Sequence, residues 1–150
     1  MTELVLKELI NTPATYRKID FRQIAEYTIK DEIDSRVEYF STMVDSYTEL
    51  SRTYPTADMK KSLANYEAGL EEMKRLYDSY ADRLQEVTCH EYELEYDAAN
   101  EYGVPIRSYF QTRFNASGKM VGTKMGDKSW IPVGDFFSIP EYYDILDRFK

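Results

Sequence analysis

Cys89 and His90 are the chain's one cysteine and one histidine, and a thiol beside an imidazole is the pair from which thiol hydrolases make a nucleophile and its base. Their spacing argues against that use. They are neighbours in a segment that reads as a strand, where successive side chains point to opposite faces. The same two counts leave no internal disulfide and no set of soft ligands for a structural zinc. His90-Glu91 followed by further acids has the form of half a metal site. With no second histidine, only carboxylates remain, which suit calcium or magnesium, and no EF-hand spacing is present.

Other residue types fail for want of geometry. Glu71-Glu72 and Glu91-Glu93 have the chemistry for glycoside hydrolysis, which needs two carboxylates across a cleft, and both pairs read as lying on exposed faces. Gly122, Gly126 and Gly134 are too widely spaced to cradle a phosphate, and no Gly-Lys-Ser/Thr follows any of them. Asn115-Ala116-Ser117 fits the N-glycosylation pattern, a match short enough to arise by chance. The expectation is therefore a protein that is not an enzyme, with no catalytic residue, cofactor site or metal site assigned.

The aromatic content is more distinctive: 14 Tyr and 7 Phe, with Trp130, Phe136, Phe137, Tyr142 and Tyr143 gathered near the end. Aromatic side chains serve as core and as interface anchors. Core packing is the main expectation here. Trp130, Ile131, Phe136, Phe137 and Tyr143 are the candidate partner contacts, with Trp130-Ile131-Pro132-Val133 as the best loop if it is exposed.

The elements that would carry these residues follow from periodicity. Residues 3–10 place Leu6, Leu9 and Ile10 on one side of a short helix that Pro13 stops. Residues 16–29 mix β-branched and aromatic residues and read as extended. From Asp31, Ile33, Val37, Phe40, Val44 and Tyr47 recur at helical spacing to about Arg52. After a break at Tyr54-Pro55, a second run carries Met59, Leu63, Tyr66, Leu70, Met73, Tyr77, Tyr80, Leu84 and Val87 in four-three alternation. That is a coiled-coil-like seam on a helix of roughly 45 Å, and the short connector folds the two helices into an antiparallel hairpin. Gly69 lies off the seam and marks a candidate close approach.

After Thr88 the period becomes two. His90, Tyr92, Leu94, Tyr96 and Ala98 form a buried face against a wet face of Cys89, Glu91, Glu93, Glu95 and Asp97. Asn100 to Gly103 turns the chain into a second strand over Val104–Phe114. The expected register sets Ala98 against Val104, Tyr96 against Ile106, Tyr92 against Phe110 and Glu95 against Arg107. Ser117-Gly118 leads to a third, weaker strand over Lys119–Met125. Ser138 is expected to cap a last helix through Glu141, with Tyr142, Ile145, Leu146 and Phe149 on one face packing on the sheet or the hairpin. The fold class is thus α+β: one domain over 1–150, with a long antiparallel helical hairpin at 31–87, a small antiparallel sheet of about three strands at 88–125, and short terminal helices.

At 150 residues, 43% apolar and 31% charged, the composition is that of one folded domain. The net charge of −8 makes direct binding to a nucleic-acid backbone unexpected. Residues 31–87 hold 13 acids and 7 bases, and residues 88–102 hold 5 acids and no base. The main reading is a solvated face; the sharper one is an acidic surface for a basic partner, including mimicry of nucleic-acid charge. No segment has the length or apolarity of a membrane span or a signal core, so the chain is cytoplasmic unless a leader was removed.

The order Leu6-x-x-Leu9-Ile10-x-x-Pro13-x-x-Tyr16, the charged hairpin, Tyr96-Asp97-Ala98-Ala99-Asn100-Glu101-Tyr102-Gly103 and the Gly118-Lys119 turn resemble an uncharacterised family of small envelope-associated or lipoprotein-like proteins of gut bacteria. Leu94 and Asp97 stand where that family tends to carry a histidine and a basic residue. The resemblance implies an exported precursor, a periplasmic or envelope location, and a helical hairpin on a small sheet. Together the observations lead to the expectation of a protein-protein interaction or structural protein, its partner another protein or a second copy of itself. The alternative is an acidic inhibitor that blocks a basic site.

Overall fold

Thr28 both ends a strand and starts a helix. Its hydroxyl accepts the Asp31 N–H at 3.3 Å while the Asp31 carboxylate accepts the Thr28 N–H at 2.8 Å, a reciprocal cap that satisfies two orphan donors of the first turn. The computed structural model describes residues 1–10, 13–135 and 138–149. Its elements in chain order are α1 (Thr2–Leu9), β1 (Arg17–Thr28), α2 (Ile29–Thr53), α3 (Ala57–Ser79), β2 (Val87–Ala99), β3 (Pro105–Asn115), β4 (Met120–Met125), β5 (Ile131–Pro132) and α4 (Pro140–Arg148). They gather into two compact units, Met1–Glu26 with Val87–Phe136 and Tyr27–Glu86 with Phe137–Lys150.

The first unit is an antiparallel sheet in the order β1-β2-β3-β4-β5 with α1 packed on it. Five strands replace the expected three. The extended segment before the hairpin is the edge strand β1, and the short β5 pairs with Gly122 and Thr123 of β4. Pro132 is tolerated there because an edge strand need not donate on both sides.

The β2–β3 turn is set by Asn100, whose side-chain oxygen accepts the N–H groups of Tyr102 and Val104 at 3.0 Å each, and by Gly103 at φ 78°, a backbone region that favours glycine. This turn places Ala98 opposite Ile106, Leu94 opposite Phe110, Tyr92 opposite Thr112 and Asp97 opposite Arg107. The expected register is therefore wrong by two residues. A slip of two leaves every side chain on its own face, and Leu94, Tyr96 and Phe110 form a core with Leu6, whereas Val104 and Ile106, expected on that face too, are exposed. Leu9, expected beside Leu6, is exposed.

The second unit is the α2–α3 hairpin closed at its base by α4. Tyr54 ends α2 just before Pro55, and the Thr56 hydroxyl caps α3 by accepting the Met59 N–H at 3.2 Å. The expected helix through Val87 stops at Ser79, a rod of about 35 Å. Its continuation is a series of turns whose carbonyls are needed elsewhere: Leu84 O and Glu86 O accept the Lys30 and Ile29 N–H groups at 2.9 and 3.0 Å. These donors belong to the first turn of α2, which no bond within that helix can satisfy. Tyr80 and Leu84 still pack on the same core, which is why the apolar period outlasts the helix.

Gly69 is buried against Phe40, and a Cβ built there would lie 2.4 Å from the ring's Cε1. The glycine is what lets α2 and α3 approach at that level. Ser138 does not cap α4, which begins with Pro140 after an Ile139 that makes no side-chain cap. The Ser138 hydroxyl instead lies 3.1 and 3.2 Å from the two carboxylate oxygens of the buried Glu32. Tyr142 and Ile145 are buried with Ile33, Phe40, Met73 and Leu76, so the last helix packs on the hairpin.

Within the sheet unit the Tyr16 hydroxyl donates to Glu3 at 2.6 Å. That bond holds the Glu3 carboxyl below its ordinary 4.5. Burial, then the same bond, raises the Tyr16 phenol above its ordinary 10.0. The depressed carboxyl adds stability that is present above about pH 4.5 and lost as pH falls through its folded value. The raised phenol adds stability that is present below about pH 10 and lost as pH rises further. Tyr16→Phe is therefore expected to cost about 1 kcal/mol between pH 5 and 10, and less on either side of that window. Urea midpoints across pH measure this; a cost independent of pH would refute it.

Candidate functional site

The wet face of the sheet is a ladder of charge pairs. Glu91 accepts from Arg113 at 2.9 Å, Glu93 from Arg22 at 2.6 Å and from Gln111 at 2.9 Å. Arg107 reaches Asp97 at 2.9 Å and Glu95 at 3.1 Å, and Arg17 lies 3.5 Å from Asp97. The four acids of β2 are thus matched by arginines of β1 and β3, and the strand that looks most acidic in sequence is locally neutralised. This face is also drier than alternation predicts, since Cys89 is fully buried and Glu91 is 7% exposed. The Arg113 guanidinium, 3.8 Å from the centre of the Trp130 ring, covers that end of the ladder.

The helical unit has the opposite character. Its buried residues, Ile33, Phe40, Gly69, Met73 and Leu76 among them, lie at the base, where α4 supplies a third layer. From residue 41 to residue 68 no residue is buried. The seam in that half, Val44, Tyr47, Met59, Leu63 and Tyr66, is only partly covered, and Leu50 and Tyr54 are exposed at 39% and 62%. Two helices can bury a seam when its side chains interlock knobs-into-holes, and in this half of the hairpin they do not. Tyr47 and Tyr66 have ring centres 5.0 Å apart across the pair.

The residues singled out from sequence do not form one site. Trp130 is partly buried, its Cε3 3.4 Å from where a Cβ on Gly122 would stand, and it is held by Arg113. Ile131 is exposed on β5 in the sheet unit, whereas Tyr143 belongs to the helical unit, edge-on to Tyr142. Phe136 and Phe137 lie outside the described residues. Cys89 is buried, with its Sγ 3.8 Å from the carbonyl oxygen of His90, and the His90 ring lies on the other face, with Nδ1 3.5 Å from Glu26. Glu72 faces Arg75 at 2.9 Å and Arg148 at 3.8 Å. Asn115 turns its side-chain oxygen to the N–H groups of Ser117 and Lys119 and so builds the β3–β4 turn.

Among the described residues no group of three or more His, Cys, Asp or Glu side chains could hold a metal ion, and no helix is long and apolar enough to cross a membrane. The half-covered seam at the hairpin tip had a signal in the sequence: the apolar repeat continues through Val44, Tyr47, Leu63 and Tyr66, with nothing in the chain assigned to cover it. Comparison with protein-family models, with curated proteins and with solved structures finds no match to this chain.

Proposed function

We propose that the protein is a non-enzymatic interaction protein that self-associates through the distal half of its α2–α3 hairpin. The observation that carries this reading is the absence of any buried residue between 41 and 68 on a seam that stays apolar throughout. A second copy supplies a matching surface, because in a two-fold pairing the same patch serves both partners. The resemblance to envelope-associated proteins would place this assembly at the bacterial cell envelope, which cell fractionation of the native host tests.

Light scattering over a concentration series is expected to give twice the 17.7 kDa chain mass. Leu50→Glu and Tyr54→Ser, at exposed positions that leave the folded monomer intact, are expected to return it to monomer. A single-chain mass up to several hundred micromolar would overturn the reading.

The acidic-inhibitor alternative now rests on the helical residues, where the surplus of 13 acids over 7 bases lies, because the acids of β2 are paired. Binding to a basic partner would weaken steeply with salt; self-association through an apolar seam would not.

A further inference from the structure

We propose that the sheet unit binds a small aromatic carboxylate in a cavity at the N-terminal end of α1. This site is independent of the hairpin. The cavity, about 490 Å³, is walled by Phe21, Tyr92 and Phe114 and edged by Glu3, Lys18 and His90, a volume in the range of small-molecule sites. Phe21 and Tyr92 lie nearly parallel, 12° apart with centres at 5.4 Å, and Phe114 stands edge-on to Tyr92 at 5.8 Å. The rings thus offer two orientations of wall to a flat guest.

Leu6 covers Leu94 and Phe110; one turn earlier Thr2 meets Thr112 at 3.1 Å, and Met1 and Thr2 form the helix side of the cavity. Three aromatic side chains are left lining open space.

The polar groups select the charge of the guest. The Glu3 carboxylate accepts the Tyr16 hydroxyl at 2.6 Å, and its charge is offset by the nearby Lys18 and Lys7. Lys18 makes no ion pair within 4.0 Å among the described residues, and its ammonium lies 5.7 Å from the centre of the Phe21 ring. The His90 Nδ1 faces Glu26 at 3.5 Å. A cationic guest would meet Lys18 and compete with it for the ring face, and a neutral one would gain nothing from the ammonium. A carboxylate on an aromatic frame satisfies both the rings and the lysine.

Amide NMR of the full chain, titrated separately with 2-naphthoate, 2-naphthol and 2-naphthylmethylammonium, tests this. The expected result is saturable shifts at Phe21, Tyr92, Phe114 and Asn115, strongest binding for naphthoate, and weakening of naphthoate by about threefold to tenfold in Lys18→Gln with naphthol unchanged. Lys18 is exposed, so the variant keeps its fold, which the dispersion of its spectrum verifies. No saturation below about 10 mM, the cation binding as tightly as the anion, or Lys18→Gln leaving naphthoate unaffected would each overturn the proposal.

Discussion

Replacing Arg113 by methionine is expected to destabilise the sheet unit by about 3 kcal/mol, the low end of what breaking a buried ion pair costs. Glu91 is the most enclosed acid of the ladder, its side chain 9% exposed, and Arg113 meets it at 2.9 Å while stacking on Trp130. Methionine keeps much of the packing volume but removes both the charge and the donors. The Glu91 carboxylate then loses a charged partner in surroundings that water reaches poorly. The second half of the expectation separates this cause from lost packing: adding Glu91→Gln to Arg113→Met should recover at least half of the loss, because a neutral amide is cheaper to bury than a carboxylate that has lost its arginine. Urea unfolding followed by far-UV circular dichroism measures both. A double variant no more stable than the single one would show that the arginine acts through its stack on Trp130 alone.

A change of sign is expected at Gly69. Alanine is the better helix former by about 1 kcal/mol, and at an ordinary helical glycine the substitution would stabilise. Here the added carbon would sit 2.4 Å from Phe40 Cε1 and 2.9 Å from two more ring atoms. Phe40 is 1% exposed, with Tyr39 and Tyr66 against it, so the ring has nowhere to go. Overpacking of about 3 kcal/mol less the propensity gain leaves Gly69→Ala destabilising by about 2 kcal/mol. In a Phe40→Leu background, which lacks the offending ring atoms, the same substitution should stabilise by up to about 1 kcal/mol. Measured as a double-mutant cycle, an unchanged sign in the two backgrounds would show that the ring and the glycine are not the contact that sets the helix spacing.

The same pair shows what could be read in advance. Gly69 stood out because a glycine inside an otherwise regular apolar repeat needs a reason, but the repeat does not say which residue approaches it. That Phe40 is the partner depends on where the Tyr54-Pro55 connector places α2 against α3. The sheet shows the same division. Alternation from His90 to Ala98 put Leu94 and Tyr96 on the buried side, since side depends only on parity, but it made Cys89 and Glu91 wet and both are buried on the other side. The register came out two residues off because parity is blind to a shift of two, and the Asn100 side chain and Gly103 set the actual pairing.

The amino-acid sequence alone, through the spacing of its apolar residues and its caps and breakers, determined most of the elements and the apolar side of the helices, but not β5, the faces of β1 or the end of α3. The folded chain decided the rest. It set the end of α3 at Ser79, where two carbonyls beyond it serve the first turn of α2, turned Ser138 to Glu32 rather than to its own helix, and matched the acids of β2 with arginines from two other strands. It left three rings open at the start of α1 and half a seam uncovered on the hairpin. Periodicity is a local property and survives in a short window. Pairing, burial and vacancy belong to residues far apart in the chain, and exist only once folding has brought them together.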